Sequence, residues 1–78
     1  MSNKVYILAI CDKDGNREPE VFYNKEDAIK AANNYYEETI KDLTDFDADI
    51  DEEQGCFCIT DFEEDNQISG EIYEKEIQ

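Results

Sequence analysis

The feature that most constrains this chain is the placement of its negative charge. Of the twenty-two acidic residues in the 78-residue sequence, thirteen lie between Glu37 and Asp65, and Lys41 is the single base in that segment. Self-repulsion of this kind lowers the stability of a compact state, so a small domain that tolerates it is expected to use the field it creates. A chain this short cannot divide its apolar residues between two cores. We therefore expect residues 1–78 to form a single domain.

Composition limits the class of protein and its surroundings. Hydrophobic residues make up 40% of the chain and nine are aromatic, which is too apolar for a disordered acidic tail. The three cysteines are odd in number and the sequence has no recognisable secretory signal, so we expect reduced thiols and a cytoplasmic location. The apolar run at residues 5–11 is far too short to span a membrane. A net charge of −15 disfavours direct contact with nucleic acid or an anionic membrane surface.

The first half of the chain predicts a hairpin followed by a helix. Residues 4–11 are apolar enough for a central strand, residues 12–16 contain an Asp-Gly turn signal, and residues 20–23 form a second strand after Pro19. Asn24 is the predicted helix cap, with acids in the first turn. The apolar stripe of the helix has spacings of three and four residues and consists of Ile29, Ala32, Tyr36, Ile40 and Leu43.

The second half predicts two more strands. Residues 45–53 read as an acidic linker, residues 55–62 as a third strand, residues 63–66 as an acidic turn, and residues 67–77 as a fourth strand. The order is ββαββ. We expect an α+β domain with a four-stranded antiparallel sheet and one helix packed on one face.

The sequence lacks the residue patterns on which most enzymes depend. It has no histidine, no recognisable nucleophile motif and no glycine-rich phosphate loop. Paired carboxylates would need a pocket that separates their pKa values, and a thin ββαββ domain leaves little room for one. We predict that the protein is not an enzyme and has neither catalytic residues nor a cofactor.

Two patterns resemble metal sites without matching them. A calcium loop starting at Asp45 would need glycine at position 50 and glutamate at position 56, where Ile50 and Cys56 stand. Cys56 and Cys58 share a strand face, but a structural zinc site requires four ligands. Only Cys11 could add a third thiol. We predict no metal site, and a divalent-cation buffer remains a minor alternative.

The acids from residue 45 onward form a regular pattern. Alternate side chains of an extended segment share one face at about 6.6 Å, comparable to the spacing of phosphates along a DNA strand. If Phe46, Ala48 and Ile50 pack inward, the carboxylates form a ladder fixed to the core; otherwise the run is a solvated linker that aids solubility. Acids of the helix and of the second hairpin turn would form a second row of carboxylates, and Tyr35 is expected to be partly exposed beside them. The candidate partner-binding residues are Tyr35, Glu38, Asp42, Asp45, Asp47, Asp49, Asp51, Glu52, Glu53, Glu63, Glu64 and Asp65.

In size, charge and α+β architecture the whole chain resembles the DNA-mimic inhibitors carried by phages and plasmids, among them acidic anti-CRISPR proteins and the uracil-DNA glycosylase inhibitor. No single motif carries the resemblance; it depends on the acids of residues 45–53 and 63–65. It implies a stoichiometric inhibitor, monomeric or homodimeric, that occupies the DNA-binding groove of a host defence nuclease or CRISPR effector. Arginines that read bases or phosphates would bind carboxylates in the same fork geometry.

A different class of function remains open beside inhibition. An acidic chain of this kind is also compatible with a non-inhibitory interaction module, such as an antitoxin-like or regulatory subunit that neutralises a basic DNA- or RNA-binding protein. Competition with duplex DNA for the partner distinguishes these two alternatives.

Overall fold

The computed structural model describes residues 3–12, 15–16 and 18–77. These residues form one helix and six strands with short connections. The elements are β1 (Asn3–Asp12), β2 (Gly15–Asn16), β3 (Glu20–Phe22), α1 (Lys25–Lys41), β4 (Phe46–Asp51), β5 (Cys56–Asp61) and β6 (Asn66–Ile77).

The strands form one antiparallel sheet. The order is β2-β1-β6-β5-β4, and β3 also pairs with β1. Because β2 and β3 both lie on the side of β1 away from β6, they act as two parts of one interrupted edge strand. Counted in this way, the sheet has five strands and the chain order is ββαβββ. β1 and β6 form its centre and pair from Asn3↔Ile77 to Cys11↔Ser69.

The α+β class and the single helix are confirmed, but the prediction of four strands is wrong. The segment predicted as an acidic linker contains β4, which pairs antiparallel with β5 from Phe46↔Asp61 to Asp51↔Cys56. Its side chains alternate between half-buried and exposed along the whole strand. The apolar half of this alternation provides enough packing to hold the segment in the sheet despite the low strand propensity of aspartate.

The core lies between α1 and one face of the sheet. Leu8, Ala32, Phe57, Ile59 and Ile68 form its buried cluster. The predicted helix stripe faces this cluster: Ala32 is fully buried, and the larger side chains of the stripe that pack on the cluster are Tyr36, Ile40 and Leu43. Leu43 lies beyond the end of the helix, where its backbone N–H donates to the carbonyl of Ile40 at 3.2 Å.

The turns agree with the prediction in part. Asn24 occupies the N-cap position with extended φ and ψ, but among the described residues its side chain makes no capping hydrogen bond. The carbonyl of Asn24 instead accepts the N–H of Ala28 at 3.2 Å. In the first hairpin Asp12 pairs with Gly15, and Lys13 and Asp14 of the predicted turn lie outside the described residues.

Candidate interaction surface

β4 displays three carboxylates at regular intervals. Asp47, Asp49 and Asp51 are exposed, whereas the residues between them are half-buried and pack on the core cluster. Since alternate residues of a strand point to opposite faces, the three carboxylates lie on the sheet face away from α1. We call these three residues the carboxylate ladder. Their intervals are set by a strand attached to the core instead of by a loose linker.

Further acidic residues flank both ends of β4. At the start, the carbonyl of Asp45 accepts the N–H of Phe62 at 3.0 Å, and the hydroxyl of Thr44 donates to the Glu63 carboxylate. These bonds hold the β5–β6 turn, which carries Glu63, Glu64 and Asp65, beside the first residue of the acidic run.

At the other end of β4, the turn into β5 carries Glu52 and Glu53, which are both exposed. The Asp51 carboxylate accepts the backbone N–H groups of Glu53 and Gln54 at 3.2 Å each. Asn33 on the helix donates to the Glu52 carbonyl at 3.4 Å. The acidic run is therefore held at both ends, and Asp51 is also a turn-stabilising acceptor.

The helix acids belong to a different surface. Glu38 and Asp42 are exposed on or next to α1, which covers the opposite face of the sheet from the ladder. Lys41 lies 3.4 Å from the Glu38 carboxylate, but both side chains are more than half exposed and such pairs contribute little. The structure does not bring Glu38 and Asp42 together with the ladder into one continuous face.

Tyr35 also lies on the helix side of the sheet. It is half-buried, and its ring stacks on that of Phe57 with centroids 5.8 Å apart and an interplanar angle of 27°. It lines a groove with Leu8, Ile10 and Glu20. The structure therefore does not place Tyr35 at the edge of the ladder, and its assignment as a partner contact stays a prediction.

Sequence reasoning missed the apolar side chains on the ladder's own side of the sheet. Ile7 pairs with Val21 on one side and with Tyr73 on the other, which makes a cross-strand apolar row. Val21 and Tyr73 are 58% and 52% exposed. The alternation of strand residues indicates this apolar row. Because Leu8 and Ile72 pack on the core, the residues next to them in the sequence must point to the opposite face of the sheet.

Tyr73 is bonded to an acid of the same strand. Its hydroxyl donates to the Glu71 carboxylate, two residues earlier in β6. This hydrogen bond, followed by repulsion from the Glu71 charge, raises the pKa of Tyr73 above 10.0. The phenol therefore stays neutral at physiological pH and presents a ring beside a carboxylate.

Comparison with protein-family models, curated proteins and solved structures found no match. Within residues 3–12, 15–16 and 18–77, no group of three or more cysteine or acidic side chains is placed to hold a metal ion. Among the described residues, no helix combines the length and the apolar character needed to cross a membrane.

Proposed function

We propose that this chain is a stoichiometric inhibitor that occupies the basic nucleic-acid-binding groove of a host defence nuclease or CRISPR effector. The observation that carries the proposal is the carboxylate ladder on β4. Its three exposed carboxylates are spaced by a strand whose alternate side chains pack on the core. Ligand groups held in this way lose less conformational freedom on binding than groups on a flexible tail.

The spacing and chemistry of the ladder favour a site that normally holds a nucleic-acid backbone. Same-face side chains of a strand recur at about 6.6 Å. Arginine binds carboxylates and phosphates in the same bidentate fork. A groove that presents successive arginines or lysines to a DNA or RNA strand would therefore meet compatible acceptors along Asp47, Asp49 and Asp51.

The net charge supports a fast encounter with such a groove. At −15 the protein carries a strong field of one sign, and its acids concentrate on β4 and the turns that flank it. Fields of this kind raise association rates with a basic partner and make binding weaken as salt is added. A competitor of DNA gains from this because DNA approaches the same groove by the same electrostatic attraction.

The test is displacement of labelled duplex DNA from a panel of guide-loaded CRISPR effectors and host nucleases, followed by fluorescence anisotropy. We expect equimolar displacement from at least one member. The triple variant Asp47→Asn/Asp49→Asn/Asp51→Asn should weaken inhibition about 100-fold, which corresponds to about 1 kcal/mol per carboxylate. It should also reduce the slope of affinity against salt concentration.

The matched control removes three charges elsewhere. Glu18→Gln/Glu26→Gln/Glu76→Gln changes exposed acids away from the ladder and removes the same number of negative charges. We expect a loss of less than about 3-fold, since general steering alone is modest in physiological salt. Equal losses in the two triple variants would show that only net charge matters and would overturn the ladder. Binding without DNA displacement would favour the regulatory module instead.

A further inference from the structure

One face of the sheet is uncovered in the described part of the chain. α1 packs on the face that carries Leu8, Phe57 and Ile59, and every other described element is a strand of the sheet or a short connection. The other face combines two kinds of surface: the carboxylate ladder at the β4 edge, and the apolar row Val21–Ile7–Tyr73 across β3, β1 and β6. We call it the open face.

Between these two surfaces lies a shallow concavity of about 460 Å³. Its sides carry carboxylates from two strands, Asp49 and Asp51 on β4 and Glu71 on β6. Its floor lies below these carboxylates because it is formed by three small side chains, those of Cys56, Cys58 and Ser69. Asp49, Cys58 and Ser69 are direct cross-strand partners, so the concavity crosses three adjacent strands. A long basic side chain laid across it would have acceptors at both sides.

The negative charge of the open face indicates which kind of molecule binds it. A second copy of the chain would bring −15 against −15 and place ladder against carboxylates of the same sign. A basic partner with some apolar side chains is complementary to both parts of the face. Exposed apolar area rimmed by polar groups is typical of protein interaction sites.

We infer that the open face docks an extended segment of a basic partner protein in which arginine or lysine alternates with apolar residues. The segment lies between the two surfaces, so that the opposite sides of its extended backbone face each of them. A basic side chain on one side enters the concavity between Asp49, Asp51 and Glu71, and an apolar side chain on the other side contacts the Val21–Ile7–Tyr73 row. The inference rests on the proposed function for the sign of the partner's charge. It adds that binding has a component that salt does not screen.

The test uses the reduced full-length chain and two synthetic peptides of equal charge, (Arg-Ile)4 and (Arg-Ser)4. Binding is measured by calorimetry at low and at physiological salt, and the alkylation rates of Cys56 and Cys58 by mass spectrometry. We expect (Arg-Ile)4 to bind at least 5-fold tighter than (Arg-Ser)4 and to slow alkylation of both thiols at least 5-fold. The preference should persist at physiological salt.

Two variants test the apolar row while keeping the ladder. Tyr73→Ser and, independently, Val21→Ser should abolish the preference for (Arg-Ile)4 and leave (Arg-Ser)4 binding unchanged within 2-fold. Phe62→Ser is the matched control, because Phe62 is 57% exposed in the β5–β6 turn, which lies at the start of β6, whereas Tyr73 lies near the other end of that strand. It should retain the preference. Circular dichroism checks that all three variants fold.

The outcomes separate this inference from the proposed function. Equal binding of the two peptides, or unprotected thiols at saturation, would overturn docking on the open face even if DNA displacement succeeded. Sedimentation showing a dimer whose thiols are already protected would assign the face to a second copy and overturn it as well. Peptide preference with thiol protection supports it, including when no nuclease in the displacement panel is inhibited.

Discussion

Gly70 lies within β6, directly opposite Phe57 of β5. A Cβ atom added at this position would overlap the Phe57 ring, whose atoms occupy the space above the glycine. The ring also stacks on Tyr35, so displacing it would disturb a second core contact. The role of Gly70 is therefore to admit an aromatic side chain from the neighbouring strand, and its backbone freedom is not required.

We expect Gly70→Ala to lower the free energy of unfolding by about 1–3 kcal/mol, the usual range for overpacking a tight site. Urea denaturation followed by circular dichroism measures the change. Ser69→Ala, one residue earlier and on the open face, is the control and should change stability by less than about 0.5 kcal/mol. If Gly70→Ala were as stable as the parent, the Phe57 ring would not occupy this space.

Tyr73 gives a prediction at high pH. Its hydrogen bond to Glu71 and the Glu71 charge raise the pKa of the phenol above 10.0. Because the folded-state pKa is raised, the stability that this bond contributes is present below the ordinary tyrosine pKa and is lost as pH rises through the raised value. Ultraviolet difference titration against Tyr73→Phe should show the Tyr73 phenol ionising above the ordinary tyrosine pKa. Glu71→Gln should shift the pKa of Tyr73 downward, whereas Glu76→Gln should not; a late transition unaffected by Glu71→Gln would contradict the assignment.

At the scale of elements, β1, α1, β5 and β6 could be predicted because each has a clear apolar run or stripe. β4 was missed because three of its six residues are aspartate, which is rare in strands. Its strict alternation of aspartate with apolar residues nevertheless indicates a strand, and this alternation places the three ladder carboxylates on one face. Placement of the acids on two faces could not be predicted, because it depends on which face α1 covers and on strand order. Both follow from tertiary packing, which the local sequence patterns do not indicate.

Burial of the alternate residues in β4 can be tested directly. Ala48 is half-buried and pairs with the fully buried Ile59. Ala48→Asp would point a carboxylate at the core, and we expect it to cost at least about 2 kcal/mol in urea denaturation. Asp49→Ala, the next residue but on the open face, should change stability by less than about 0.5 kcal/mol. Similar small effects of both substitutions would mean that residues 46–51 are a solvated linker.

At the scale of the whole molecule, a small core has to offset the repulsion of a high net charge. The Cα atoms extend over 47 × 23 × 14 Å, so the domain is elongated and thin, and its described residues form one helix over one sheet. A thin domain has a small core, yet this one keeps a net charge of −15. Stability that is given up to self-repulsion in the free protein would be recovered when a basic partner neutralises the acids.

This balance predicts that salt stabilises the free protein. Raising sodium chloride from 0.01 to 0.5 M shortens the screening length from about 30 Å to below 10 Å and weakens repulsion among the acids. We expect a gain of about 1 kcal/mol, which corresponds to a rise in Tm of about 4–8 °C for a domain of this size, measured by calorimetry. The variant Asp47→Asn/Asp49→Asn/Asp51→Asn should have a higher Tm at low salt and a smaller gain. A Tm that fell with salt would mean that ion pairs such as Lys4–Glu74, 3.4 Å apart, outweigh the repulsion.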